Sequence, residues 1–382
     1  MDDILTRGVE TVLPSKQVLA DRLEKGPIKL YFGIDPTAPS LHLGHLTSLL
    51  KVRDFQQAGH EVVVMFGDFT ARIGDPTDKD AVRKVLSQQE VEANMADYEN
   101  QVLKILDSTK TTFHKNSEWY RQMPLEDFIN LTTKVTVGYN LKRDMFQRRQ
   151  QAGKEIYVNE FLYPILHGYD CIPLAAELEI GGNDQLFNML TGRDLAKKIK
   201  NRDKFVLTLK LLVDPVGEKM GKTTNNMARL DDEPKEMFGK VMSWPDTLMP
   251  LGFEILTRLP TDIYQEALKG HPKEAKLLLA KEVIKIITDE QTAEQALKDF
   301  ENTFAGGEGE VSAKEIEVEV GVNLDQVLID QQLIKSKAEF RRLVEQGGVD
   351  YADQLVTDPK QLIDRSGLIR VGKHRFVKIK VK

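Results

Sequence analysis

Two strand-like runs separated by a helix-like stretch constrain this chain more than any other feature of it. Lys29-Leu30-Tyr31-Phe32-Gly33-Ile34 reads as a strand, Leu46 to Ala58 as a helix, and Glu61 to Phe66 as another strand. That order is the signature of a parallel sheet with helices on its faces. Such sheets bind ligands beyond the carboxyl ends of their strands. Residues just after Ile34 are therefore the first place to look for chemistry.

The chain has 382 residues, which is more than one ordinary core and points to two or three domains. Hydrophobic residues at 41% and charged residues at 29% are the balance of a soluble globular protein. Met1-Asp2-Asp3-Ile4-Leu5 has no basic segment leading into an apolar one, so no signal peptide is expected. The longest apolar run, Val62 to Phe66, suits a buried strand and not a membrane span. The single cysteine, Cys171, excludes an internal disulfide and a multi-thiolate zinc cluster, fits a reducing cytoplasm, and reads as a packing residue. Charge is uneven. Residues 320–382 carry 12 Lys+Arg against 8 Asp+Glu, a net of +4, whereas the whole chain stands at −6. A basic tail on an acidic body suits an anionic partner such as RNA, although a solvated surface explains it equally.

Beyond Lys219 the pattern becomes mostly helical. Pro272 to Thr288 carries Leu277, Leu278, Ala280, Val283, Ile284 and Ile287 at helical spacing, with Pro272 suited to the first turn. Ala305-Gly306-Gly307-Glu308-Gly309-Glu310 reads as a linker. In the tail, Ser336-Lys337-Ala338-Glu339 fits a capping box, Phe340, Leu343 and Val344 give an apolar helix face, and Gly347-Gly348 ends the helix. Lys337, Arg341 and Arg342 on that helix, and the alternating lysines of Phe376 to Lys382, are candidates for an RNA backbone.

Two motifs carry chemistry. In the first, Tyr31 through His45, a strand enters a Pro-rich turn and then a helix. His42 and His45 are three apart and share a helical face near its start, where free N–H groups and the dipole favour phosphate. Gly44 between them leaves the backbone open to a flat base. Imidazoles there can donate to phosphate oxygens. A metal site would need a third ligand and more often uses a spacing of four. In the second, Lys219-Met220-Gly221-Lys222-Thr223, two lysines on a loop can close on a triphosphate and neutralise leaving pyrophosphate.

In this order the two motifs resemble the HIGH and KMSKS signatures of class I aminoacyl-tRNA synthetases. The segments between them resemble the bacterial-type tyrosyl-tRNA synthetase family, and the likeness runs through nearly the whole chain. It implies an α/β fold: a Rossmann-like parallel-sheet catalytic domain over residues 1–230, with an inserted dimerisation and acceptor-end region. A helical anticodon-arm-binding domain would follow over 231–304, a linker over 305–319 and a small α+β S4-like RNA-binding domain over 320–382. It also implies tyrosine, ATP with Mg²⁺ and tRNA(Tyr) as substrates, a homodimer in the cytoplasm, and no permanently bound cofactor, metal site or membrane. Tyr31 and Asp170 would hold the substrate hydroxyl. Asp75, Tyr163 and His167 would hold the ammonium group, with Gln185 in support. Gly33, Asp35, Gly44, Gly182 and Asp184 would lie along the adenylate. Thr37, His42, His45, Lys219 and Lys222 would be the catalytic set, with Lys79, Arg83 and Thr223 also around the phosphates.

The chain departs from that pattern in places. Many relatives have glutamine where His167 stands, and a protonated imidazole would repel an ammonium. Phe32 cannot hydrogen-bond a ribose, and Met220-Gly221 and Thr223 vary the lysine loop. Arg143, Arg148, Arg149 and Lys154 suit either an RNA acceptor end or an exposed helix face. Three other readings share parts of the pattern: a tryptophan-specific relative, a small-metabolite nucleotidylyltransferase, and a non-catalytic RNA-binding protein built on a decayed synthetase.

Overall fold

The computed structural model describes residues 3–77, 86–213, 227–304 and 315–381, the last without residues 332, 335, 353, 373 and 374. Contacts divide the chain into two compact units, Met1–Leu297 and Lys298–Lys382. Among the described residues no helix is long and apolar enough to cross a membrane.

The first unit is built on a six-stranded sheet: β1 (Val9–Leu13), β2 (Lys29–Ile34), β3 (Glu61–Phe66), β4 (Thr111–Lys115), β5 (Leu178–Gly182) and β6 (Phe205–Leu209). Its spatial order is β1-β6-β5-β2-β3-β4. All neighbours are parallel except β1, which closes the edge antiparallel to β6. The two strands expected from sequence are β2 and β3, paired from Lys29↔Glu61 to Ile34↔Phe66. Both are buried after their first residue, apart from the half-buried Gly33, as expected of strands covered on two faces. The chain builds outward from β2 to β4, then returns to lay β5 on the other side of β2. The crevice at the carboxyl ends of β2 and β5 is the switch point where such sheets take ligands.

The helix after β2 runs Leu43–Gln57, and it begins earlier than the apolar periodicity indicates because His42 is its N-cap. Helices Val158–Tyr169 and Leu186–Lys200 pack closely where two glycines meet. A Cβ on Gly168 would strike the backbone of Gly192. In the helical part, Pro272–Ile287 buries Leu277, Leu279, Ala280, Val283, Ile284 and Ile287. Leu279 takes the core position and Leu278 is half exposed, because four helices of this part converge on a slightly rotated stripe. Arg258 ties this part to the sheet body through two hydrogen bonds to Asp54, at 2.9 and 2.8 Å.

The second unit holds a sheet of order β7-β11-β10-β8-β9. Its strands are β7 (Glu315–Val318), β8 (Val349–Tyr351), β9 (Gln354–Leu355), β10 (Gly367–Val371) and β11 (Arg375–Val381). Leu324, Leu328, Phe340, Val349, Ile369, Val377 and Ile379 form its core. The stretch 315–318, read from sequence as the end of a linker, is a strand. It runs parallel to β11, with Glu315 and Glu317 opposite Lys378 and Lys380 at 3.2 and 3.9 Å. That pairing neutralises much of the lysine face of the terminal strand. Ser336 caps helix Lys337–Glu345 by accepting Glu339 N–H at 3.3 Å, and the Glu339 carboxylate meets Arg375 at 3.2 Å. The helix ends as expected. Gly347, at φ +65°, donates to Val344 O, and Gly348 donates to Leu343 O.

Candidate active site

At the switch point lies a cavity of about 370 Å³. It is lined by Tyr31, Phe32, Gly33, Asp35, Thr37, His42, Gly44, His45, Asp75, Tyr163, His167, Asp170, Gly182, Asp184 and Gln185, among others. Residues as far apart in sequence as Tyr31 and Gln185 thus meet in one place.

The two histidines cap their own helix. His42 Nδ1 accepts Gly44 N–H at 3.0 Å, and His42 N–H donates to His45 Nδ1 at 3.2 Å. This is a capping box made of imidazoles. An Nδ1 that accepts carries no proton, so each neutral ring has its proton on Nε2. The rings lie 4.0 Å apart, and burial and the neighbouring His42 hold His45 well below the usual imidazole range. The result is a pair of neutral N–H donors beside a helix start that itself attracts anions. Gly44 is needed for this geometry: a Cβ there would press against the His42 ring at 2.8 Å.

Asp35, Asp75 and Asp170 make the cavity acidic, each in a different state. Asp170 accepts Tyr120 O–H at 2.7 Å, Trp119 Nε1–H at 3.0 Å and Asn116 Nδ2–H at 3.3 Å. Burial nevertheless pushes its carboxyl up to about 7. Asp35 accepts Thr70 O–H at 2.8 Å and Tyr163 O–H at 2.9 Å, and burial pushes it up to about 6. Asp75 is buried too, but Thr77 and Gln185 outweigh that effect, with Thr77 N–H and O–H at 2.9 and 2.6 Å and Gln185 Nε2–H at 2.8 Å. It lies below the usual carboxylate range. Of the three, Asp75 is the one whose charged form its surroundings favour.

Tyr31 and Asp170 both line the cavity. His167 does as well, but its Nε2 is engaged by Glu179 at 2.7 Å. Burial lowers its pKa, while Glu179 more than compensates and raises it. The neutral ring that would suit an ammonium is therefore disfavoured. Cys171 is buried with its thiol donating to Gly168 O at 3.2 Å, which matches its reading as a packing residue.

Lys79, Arg83, Lys219, Lys222 and Thr223 lie outside the described residues. The flanks of the lysine segment do not. Leu209 to Leu212 line the cavity, and on the far side Leu43 N–H donates to Ala228 O while Leu230 N–H donates to Leu41 O. The flank after that segment is therefore tied to the histidine motif, and the flank before it lines the cavity.

Several important residues escaped the sequence reading. Gly67 has no side chain because a Cβ there would overlap the Asp35 carboxylate and the Thr70 hydroxyl. Trp119, Tyr120 and Asn116 orient Asp170, and nothing in their spacing signals it. Arg143 is buried, donates to Thr77 Oγ1 at 2.5 Å and lies over the Phe187 ring. Arg149 is buried against Glu160, at 2.5 and 2.9 Å. Neither is an exposed contact for RNA, whereas Arg148 and Lys154 are exposed. In the second unit Arg341 and Arg342 are exposed, and Lys337 lies 3.6 Å from Asp325.

Comparison with known proteins gives concordant results. The family described as tRNA synthetases class I (W and Y) matches residues 23–305. The tyrosine–tRNA ligase of Photobacterium profundum is 38% identical over 386 aligned residues, covering 99% of this chain and 98% of that one. The tyrosine–tRNA ligase of Carboxydothermus hydrogenoformans is also 38% identical, with 99% and 97% covered. Among solved structures, a truncated mitochondrial tyrosyl-tRNA synthetase of Aspergillus nidulans superposes with a TM-score of 0.70 at 23% identity, over 79% of this chain and 93% of that one. The Archaeoglobus fulgidus tyrosyl-tRNA synthetase solved with L-tyrosine gives 0.59 at 19% identity, over 77% and 98%. At those identities the structures speak for the fold alone.

Proposed function

The chain belongs to the class I tRNA synthetases of the tryptophan and tyrosine branch, and we infer that it is a tyrosine–tRNA ligase whose residues divide the work as follows. Tyrosine enters with its phenol toward Tyr31 and Asp170 and its ammonium toward Asp75, with Gln185 bracing that carboxylate. The phenol donates to Asp170 and accepts from Tyr31. Phenylalanine would leave both buried groups unpaired, a form of discrimination for which tyrosyl-tRNA synthetases are themselves the standing example.

ATP lies against Gly33, Asp35, Gly44 and Gly182, with Asp184 toward the ribose. The tyrosine carboxylate attacks the α-phosphorus, the bond to pyrophosphate breaks, and tyrosyl-adenylate remains. No protein nucleophile is needed. Catalysis consists of alignment and of donors aimed at the developing phosphate charge: His42 and His45 Nε2–H, Thr37, and the lysines Lys219 and Lys222. Lys79, Arg83 and Thr223 would join them around the leaving group. Mg²⁺ arrives with ATP as part of that substrate. Among the described residues no three His, Cys, Asp or Glu side chains converge as a metal site. A terminal ribose hydroxyl of tRNA then attacks the adenylate.

One observation carries the reading: the imidazole-capped helix start and the Tyr31–Asp170 pair open onto a single cavity. The test is exchange of labelled pyrophosphate into ATP with tyrosine, tryptophan or phenylalanine. Exchange with tyrosine alone is expected, and exchange with tryptophan would overturn the role given to Tyr31 and Asp170.

The exposed Arg341 and Arg342, with Lys337 beside them, would meet the tRNA backbone. The domain arrangement we adopt is catalytic over 1–230, anticodon-arm-binding over 231–304 and RNA-binding in the tail. Homodimerisation is favoured by large apolar side chains left exposed on the inserted segment: Leu125 (74%), Ile129, Val137, Tyr157 and Val158 (75%). The mass in solution decides it. The lone, buried Cys171 suits a reducing cytoplasm.

A further inference from the structure

Beneath Tyr31 and His167 lies a set of buried charges to which the chemistry above gives no task. Lys204 is wholly buried and Glu179 is 3% exposed. Glu179 stands on β5 directly opposite Tyr31 on β2, and Lys204 immediately precedes β6. The Lys204 ammonium forms a close ion pair with Glu179 Oε2 and donates to Tyr31 Oη at 3.3 Å. Glu179 Oε1 takes His167 Nε2 at 2.7 Å. Gly192 makes room for the ammonium, since a Cβ there would press on Lys204 Nζ.

A buried ion pair is a poor way to stabilise a core, because apolar residues of the same volume do as well or better. What distinguishes this pair is its contacts with the cavity wall. We propose that Lys204 and Glu179 are positioning residues for the amino-acid pocket, acting through Tyr31; the proposal rests on the tyrosine reading above. An ammonium has three donors and no acceptor. Lys204 can therefore only donate to Tyr31, whose hydroxyl also hydrogen-bonds the Glu179 carboxylate. Glu179 takes Lys204 on one oxygen and His167 on the other, which fixes that carboxylate and with it the Tyr31 hydroxyl. Burial and the Glu179 charge also keep Tyr31 a neutral phenol. A substrate phenol then meets a Tyr31 hydroxyl held in one place and an acceptor in Asp170. Glu179 in turn pins the His167 ring by Nε2, leaving only Nδ1 for anything that enters. In this chain His167, where many relatives have glutamine, is thus the cavity-side end of a Lys204–Glu179–His167 chain.

The test is a double-mutant cycle read by tyrosine-dependent pyrophosphate exchange, with KM for tyrosine and for ATP measured separately. Its four members are the wild-type chain, Tyr31→Phe, the paired swap Glu179→Gln/Lys204→Gln, and all three changes together. The paired swap removes both charges at once and leaves no lone buried ion. We expect it to raise KM for tyrosine about tenfold, the scale of losing one charge-assisted hydrogen bond. KM for ATP should stay within about twofold, and the swap should add little once Tyr31 is Phe, because the two act as one unit. An unchanged KM for tyrosine, or the same increase in both backgrounds, overturns the proposal and leaves Lys204 a packing residue. If the paired swap folds poorly, Glu179→Leu/Lys204→Met carries the same cycle. A wild-type chain with no tyrosine-dependent exchange overturns the tyrosine reading first, and this inference with it.

Discussion

Replacing Asp170 by asparagine should make the protein more stable and much less active. Burial raises the Asp170 carboxyl from 3.8 to about 7. At pH 8 the charged form therefore costs the native state up to about 4 kcal/mol, at 1.36 kcal/mol per unit. Asparagine removes that cost, and its Oδ1 keeps the Trp119 and Tyr120 donors. Its amide, however, would face Asn116 Nδ2, which now donates to Asp170 at 3.3 Å. Asn116 cannot flip, because its Oδ1 accepts Phe69 N–H and its Nδ2 also donates to Thr70, both at 2.9 Å. That lost partner costs about 1–3 kcal/mol. The net gain at pH 8 is about 1–3 kcal/mol, or roughly 2–4 °C in Tm for each kcal/mol in a body of this size. The sign follows from the raised value. The native carboxyl holds a proton that the unfolded one releases, so its contribution is most favourable below about pH 4 and is lost as pH rises through about 7. At pH 5 the advantage of asparagine should therefore vanish or reverse. Thermal melts of both proteins at pH 5 and pH 8 decide the matter. A variant that melts further below wild type at pH 8 than at pH 5 would refute the reasoning. Tyrosine-dependent exchange should fall most at pH 8, where the native carboxylate would take the phenol proton and the asparagine amide cannot.

Three further outcomes follow from the same geometry. KM for tyrosine should rise as pH falls from 8 to 6, since Asp170 at about 7 and Asp35 at about 6 lose charge while His167, raised by Glu179 despite burial, gains it; a flat profile would show that these groups do not face the substrate. Gly67→Ala should cut exchange on the order of tenfold by displacing Asp35 and Thr70, and an unaffected rate would mean that the Asp35–Thr70 contact is dispensable. Arg149→Met leaves Glu160 buried without its partner and should cost about 3–5 kcal/mol, visible as a lower Tm; a melt unchanged at neutral pH would place Glu160 in water.

Much of the site was legible because its residues fall in short, ordered motifs. His42, Gly44 and His45 are spaced as a helix start, and β2 and β3 have the bounds their sequences suggest. The roles given to Tyr31 and Asp170 came from resemblance, and both line the cavity. His167 is the instructive case. Sequence marks it as unusual, but its pairing with Glu179, and so the upward shift of its pKa, depends on a strand and a helix brought together by the fold. Arg143 and Arg149 are similar. They lie in a run of basic residues that reads as surface, yet their stems and charges are buried, because Phe187, Thr77 and Glu160 arrive from elsewhere in the chain.

The sequence by itself determined the alternation that forces a parallel sheet, the helix start with its histidine pair, the basic tail, and a lone cysteine. These are local properties, set by the spacing of side chains along one segment. Only the tertiary structure decided which nitrogen of each capping histidine carries the proton, why Gly67 and Gly192 must lack side chains, which of three aspartates is held below the usual carboxylate range, and that Lys204 and Glu179 stand behind Tyr31. Each of those depends on burial and on partners remote in sequence, and desolvation acts on a side chain only once the fold has closed around it.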